Sequence, residues 1–126
     1  LRTTQDILAA YDLMIEQKAD FCQSVTEFET SPFFAYDMDD SGQIRRRWPD
    51  VALLPPWEKP RVVVDNGSIY WARVSAFLDT GELEGPNTAG YLMPRERSVD
   101  IDTLTDFKLA RFYLDQAREE TAAEDE

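Results

Sequence analysis

The stretch from Arg95 to Phe107 constrains the fold of this chain most. A strand-like run, Thr88 to Met93, leads into it and is ended by Pro94. Thr103-x-x-Asp106 then opens a helix: Thr103 is placed to cap it, and Asp106 falls in the first turn, near the positive end of the helix dipole. Between them stand Asp100 and Asp102, two residues apart, so that in an extended segment both carboxylates face one side. A strand end feeding a helix is the common place for a site in an α/β protein. From the residues alone two readings stay open. The aspartates hold a hard cation such as Mg²⁺, or they are polar residues ahead of a helix cap.

The 126 residues suffice for about one domain, and a hydrophobic content of 43% allows it a packed core. The formal net charge is -12. Such a surface repels nucleic-acid phosphates and anionic lipid, so neither nucleic acid nor a membrane is expected as partner. A nucleotide remains possible where a metal offsets its charge. The absence of histidine excludes Ser-His-Asp and Cys-His catalysis and most zinc sites. Cys22 is the single cysteine, which suits a reducing, cytoplasmic setting. No apolar run is long enough to cross a membrane, and no signal-peptide pattern opens the sequence. The first residue is not Met, and the chain is expected to be part of something longer.

Taken in order, Thr3-x-x-Asp6 opens a helix to Gln17, with Ile7, Leu8, Tyr11, Met14 and Ile15 as its apolar stripe. Ala19 to Phe28 reads as a strand. Residues 33–38 and 43–48 flank Asp39-Asp40-Ser41-Gly42 as a β-hairpin, too apolar to stand alone in water. Its Arg45-Arg46-Arg47 triplet reads equally well as a solvated strand edge or as an anion site. Four prolines between Pro49 and Pro60 predict an irregular, extended connection without helix. Gly67, inside a strand-like run from Val62 to Ala72, suggests close approach by backbone or ligand. Val74 to Thr80 reads as a short helix ended by Gly81. The last helix runs from about Thr103 to Ala117 with Leu104, Phe107, Ala110 and Leu114 facing a core, and residues 119–126 form an acidic tail expected to be disordered. The alternation of strands and helices predicts an α/β sheet layer.

Several of these stretches together resemble the acylneuraminate cytidylyltransferases, the synthetases of CMP-sialic acid and CMP-legionaminic acid. The residues that carry the resemblance are Asp65-Asn66-Gly67-Ser68-Ile69-Tyr70, Gly85-Pro86, the run from Tyr91 to Thr103, Asp106-Phe107 and Ala110. Ser24 to Glu27 and Ser31 to Phe34 are similar as well. Order and spacing agree as far as Tyr113.

The resemblance implies the C-terminal half of a nucleotide-diphospho-sugar transferase, a Rossmann-like α/β fold, spanning residues 1–118, with 33–48 as an inserted hairpin that builds a homodimer. It implies CTP and a nonulosonic acid of the sialic or legionaminic type as substrates. Asp100 and Asp102 would be the catalytic pair holding Mg²⁺, while Asn66, Gly67 and Tyr70 would bind the sugar. For Tyr70 a strand aromatic is the plainer alternative. The chain departs from the family pattern in three places. Pro56 stands where an Arg is usual, Phe34 where some members have Lys, and Leu83-Glu84 where some have paired aromatics. Two other readings fit the same residues: a non-catalytic relative serving as a dimerising or ligand-binding module, and a Kdo-type cytidylyltransferase.

Overall fold

A computed structural model describes residues 1–124, with side chains as far as Glu120. The elements in chain order are α1 (Thr4–Glu16), β1 (Phe21–Glu27), β2 (Tyr36–Met38), β3 (Ile44–Arg46), α2 (Pro49–Ala52), β4 (Val63–Ala72), α3 (Val74–Thr80), β5 (Thr88–Leu92) and α4 (Leu104–Glu124). Short 3-10 turns cover Pro32–Phe34, Pro56–Glu58 and Arg95–Arg97. The chain divides into two compact units: residues 1–26 with 64–126, and residues 27–63.

The first unit is built on a three-stranded sheet in the order β4-β1-β5. β1 pairs with β5 in parallel, from Phe21 against Thr88 to Val25 against Leu92. Along β4 the direction reverses: Asp20 meets Arg73 through its carbonyl, and four residues on Ser24 meets Ile69. The central strand is buried on both faces at Phe21, Cys22, Ser24, Val25 and Thr26. Burial pushes the Cys22 thiol up, so it acts as a small core side chain and not as a nucleophile. Ala10 and Met14 of α1, Ala19, Cys22, Ile69, Ala89 and Met93 make the core. Mixed α/β content is therefore present, with a small sheet.

The start of α1 agrees with the sequence reading. Thr3 Oγ1 accepts the Asp6 amide hydrogen, and the Asp6 carboxylate accepts from the Thr3 amide in return. Its inward line agrees only in part, with Met14 in the core and Ile7 packed against it. Asp6, Ala10 and Met14 are buried at four-residue spacing, while Leu8, Tyr11 and Ile15 of the expected stripe are exposed. Small Ala10 lets the helix approach the sheet closely, and Asp6 is tolerated inside because it is fully paired. Gly81 ends α3 in the left-handed conformation, as read.

Two expectations for the first unit need correction. Helix α4 extends to Glu124, through most of the segment expected to be disordered. Ala and Glu, which recur there, are strong helix formers, and just ahead of the segment Arg118 pairs with Asp115 one turn back. Residues 125–126 lie outside the described residues. Of the expected core face of α4, Ala110 alone is buried, whereas Leu104 is 70% and Phe107 52% exposed.

The second unit contains the hairpin, with arms of three residues in place of six: Tyr36 opposite Arg46, Asp37 opposite Arg45, and Met38 opposite Ile44. Asp39 organises the loop by accepting from the Ser41 amide, the Ser41 hydroxyl and the Gln43 amide. Pro32 turns the chain before β2, so Phe33 and Phe34 leave the arm. The proline-rich connection is also less extended than expected. Pro49 begins a short helix and Pro56 a 3-10 turn, because proline lacks only a first-turn N–H that would be unpaired anyway.

Candidate functional site

The segment between β5 and α4 has no regular structure after the turn at Arg95–Arg97, and it bends at Asp102 and Thr103 to enter the helix. Asp100 faces a cleft of about 230 Å³ shared with Thr26, Arg95, Ser98, Asp106 and Tyr113. Thr26 lies near the carboxyl end of β1, and residues 95–100 follow the carboxyl end of β5. The cleft therefore opens where two adjacent parallel strands end, the position at which α/β sheets bind ligands. Its wall also holds Thr26 Oγ1, buried without a partner, so one hydrogen bond remains to be made there.

Asp102 is exposed and does not line this cleft. The expected extended D-x-D gives way to a bend because Thr103 is drawn into the cap of α4. Its amide and hydroxyl both donate to Asp106, which returns the bond through its own amide. Those Thr103 bonds hold the Asp106 carboxyl below its usual range. Among the described residues no three Cys, Asp or Glu side chains converge as a metal cage. The one carboxylate that faces the cleft without capping a helix, Asp100, still fits Mg²⁺, which typically takes one or two from protein and completes its shell with phosphate oxygens and water.

The three other candidates lie on β4, and none lines the Asp100 cleft. Asn66 reaches it indirectly. Its Nδ2 donates to Ser98 Oγ at 2.9 Å, and its Oδ1 accepts from Ser24 Oγ at 2.6 Å. Gly67 sits at φ 64, a left-handed position within the strand, and its amide donates to Asp65 Oδ1. A Cβ there would meet nothing within 4 Å. The glycine is therefore required by backbone conformation, and among the described residues no backbone makes the expected close approach. The Tyr70 hydroxyl donates to Asp65 Oδ2, which pushes its pKa up to about 12. Asp65 thus ties the Gly67 backbone to the aromatic.

A second cluster joins the same segment and carried no signal in the sequence beyond the helix cap. Asp6 is 2% exposed. It accepts from Arg97 Nε at 3.1 Å and Nη2 at 2.8 Å, from the Tyr91 hydroxyl, and from the Thr3 amide and hydroxyl. Burial alone would raise its carboxyl, but Arg97, Thr3 and Tyr91 outweigh that and hold it at about 2.

In the second unit Phe34, which departs from the family pattern, and basic residues of the hairpin and the connection have partners. The Lys59 ammonium stands 4.4 Å over the Phe34 ring, and Arg61 pairs with Glu27. Arg46 lies over Tyr36, and Arg47 lies over Trp48 and pairs with Asp37. Arg46 Nη1 is nonetheless buried without a hydrogen-bond partner among the described residues, so both readings of the Arg triplet stay open.

No protein-family model matches the chain. Two curated proteins are similar to it. One is the pseudaminic acid cytidylyltransferase of Campylobacter jejuni subsp. jejuni serotype O:2, 25% identical over 108 residues, which are 85% of this chain and 47% of that protein. The other is the pseudaminic acid cytidylyltransferase of serotype O:23/36, 24% identical over 102 residues, which are 81% of this chain and 44% of that protein. The chain spans about half the length of the curated relatives it matches. Over most of its length, then, the chain is similar to a C-terminal portion of the nonulosonic acid cytidylyltransferases, the family that its sequence resembles.

Proposed function

We propose that this chain is the metal-binding, sugar-binding and dimerising part of a CTP-dependent cytidylyltransferase that activates a nonulosonic acid. The reading rests on one geometric observation: Asp100 faces a cleft at the carboxyl ends of two parallel strands, in a chain similar to pseudaminic acid cytidylyltransferases. The whole protein would have the Rossmann-like nucleotide-diphospho-sugar transferase fold, with the hairpin at residues 33–48 at a homodimer interface. Its setting would be cytoplasmic, where CTP is found.

In the reaction the anomeric hydroxyl of the sugar attacks the α-phosphorus of CTP. The O–P bond to CMP forms, the bond to pyrophosphate breaks, and the hydroxyl proton is released. Such a displacement needs positioning and charge neutralisation, with no covalent nucleophile. That suits a chain without histidine. Asp100 and Asp102 would hold Mg²⁺, which supplies charge neutralisation at the phosphates and a lower pKa for the attacking hydroxyl. Arg95, on the cleft wall, adds positive charge beside the anionic substrates. Gly67 and Tyr70 of β4 would lie beside the sugar, as the family resemblance implies.

The deciding experiment uses the protein encoded by the whole open reading frame. With CTP, Mg²⁺ and a panel of pseudaminic, legionaminic and sialic acids, pyrophosphate should be released with at least one sugar. No release with any of them overturns the assignment and favours a non-catalytic dimerising or ligand-binding module.

A further inference from the structure

We propose that Asn66 is a positioning residue that fixes the loop carrying Asp100 through Ser98, and that Asp6 holds the same loop at the adjacent residue through Arg97. The inference rests on reading Asp100 as a metal carboxylate and assigns Asn66 a different task from sugar contact.

Asn66 has no hydrogen-bonding capacity left for a ligand. Its two N–H groups donate to Ser98 Oγ and Met93 Sδ, and its carbonyl accepts from Ser24 Oγ and the Ser68 amide. Those four bonds complete an amide side chain. The directions are also consistent from end to end. The Ile69 amide donates to Ser24 Oγ, Ser24 donates to Asn66 Oδ1, Asn66 Nδ2 donates to Ser98 Oγ, and Ser98 donates to the Pro94 carbonyl. The Ser24 hydroxyl also lies 3.4 Å from the Ile69 carbonyl, but its 2.6 Å bond to Asn66 Oδ1 is the shorter. The Ser68 amide can only donate, so the atom it approaches is the Asn66 oxygen, which sets the amide orientation. The far end of this path is Ser24, fully buried in the central strand. The near end is separated from Asp100 by Val99 alone.

Arg97 supplies the second point. Its guanidinium makes two bonds to buried Asp6, which is itself held by Thr3 and Tyr91. Consecutive residues 97 and 98 are thus tied to different elements, α1 and β4. Two such points hold the root of the loop against both α1 and β4. A metal carboxylate needs placement within about 0.5 Å, and rigid supporting bonds are the usual means.

The test uses the 126-residue chain with Asn66→Ala, Ser98→Ala and Arg97→Lys. Backbone order parameters from nitrogen-15 relaxation are measured for Val99 to Asp102. The expected wild-type value is about 0.8, falling below about 0.6 in Asn66→Ala and in Ser98→Ala, with α1 and β5 unchanged. Ser98→Ala removes a single oxygen and tests the idea even if Asn66→Ala unfolds. A wild-type loop already below about 0.6, or variants that stay rigid, overturns the anchor. Paramagnetic broadening by Mn²⁺ is followed at the Asp100 amide in the same samples. The variants should need at least about tenfold more Mn²⁺ for equal broadening, a loss of about 1.4 kcal/mol. A wild-type chain without selective broadening defeats the metal reading, and the order parameters still decide on the anchor. In the whole enzyme Asn66→Ala should raise the Mg²⁺ requirement and lower kcat while leaving the sugar KM unchanged. A rise in sugar KM alone would restore the sugar-contact role and overturn this one.

Discussion

Asp6 and Arg97, 91 residues apart in sequence, form a two-bond ion pair that joins the first turn of α1 to the segment ahead of Asp100. Asp6 is also the third residue of its own helix and completes the cap with Thr3. One buried carboxylate thus closes a local motif and a long-range one. Its folded pKa, about 2, lies below its ordinary 3.8. A depressed carboxyl contributes stability above its unfolded pKa and loses it as pH falls through the folded one. The contribution is complete above about pH 4 and is lost between about pH 4 and 2. At about 1.4 kcal/mol per unit it amounts to about 2 kcal/mol.

Asp6→Asn should therefore cost about 2 kcal/mol at pH 7 and nearly nothing at pH 2. Urea midpoints at pH 7, 4 and 2 measure this. An equal loss at all three values would mean that shape, not charge, explains the burial of Asp6.

Gly67 and Gly85 should resist substitution for different reasons. Gly67 needs its positive φ and has open space around it, so alanine should cost about 1–2 kcal/mol, and asparagine less, since it tolerates the left-handed region. At Gly85 a Cβ would stand 2.9 Å from Cε2 of the buried Phe21 ring. Alanine there should cost about 1–3 kcal/mol by overpacking, and asparagine more. Denaturant titration of the four variants checks the pattern. Equal tolerance of asparagine at both sites would contradict it.

The hairpin sets Met38 opposite Ile44 with both side chains largely exposed. If this face pairs with a second copy, Met38→Lys with Ile44→Lys should convert a sedimenting dimer to a monomer while leaving the unfolding midpoint of the monomer nearly unchanged. A wild-type chain that sediments as a monomer at high micromolar concentration would remove the hairpin from the dimer proposal.

Asp100→Asn removes one negative charge from an exposed side chain. It should leave stability within about 0.5 kcal/mol, as surface changes usually do, and abolish CTP-dependent turnover in the whole protein. Asp102 is exposed and outside the cleft, so Asp102→Asn should cost less, leaving turnover that rises with added Mg²⁺. Full activity of Asp100→Asn would sink the metal role.

Much of the local architecture is legible in the residues themselves. Thr3-x-x-Asp6 and Thr103-x-x-Asp106 are reciprocal caps written in four letters each. Gly81 needs only its own backbone freedom to end α3. β1, β5 and the turn at Asp39 follow from short-range patterns of the same kind. The apolar stripes were misleading, since Leu8, Phe107 and Leu104 carry the right spacing yet remain exposed. Periodicity tells which residues share a helix face and not which face meets the core.

Sequence alone therefore determined most of the elements, the starts of α1 and α4, the end of α3, and the family resemblance that Asp100, Asp102 and their neighbours carry. Those depend on residues within about one helical turn of each other, or on the order of such motifs along the chain. Tertiary structure alone decided that Asp6 serves Arg97, that Asn66 spends all its hydrogen bonds on Ser24, Ser68, Met93 and Ser98, and that Asp100 but not Asp102 faces the cleft. Polar side chains choose their partners by where burial leaves a donor or acceptor unpaired, and that is settled only once distant segments pack together.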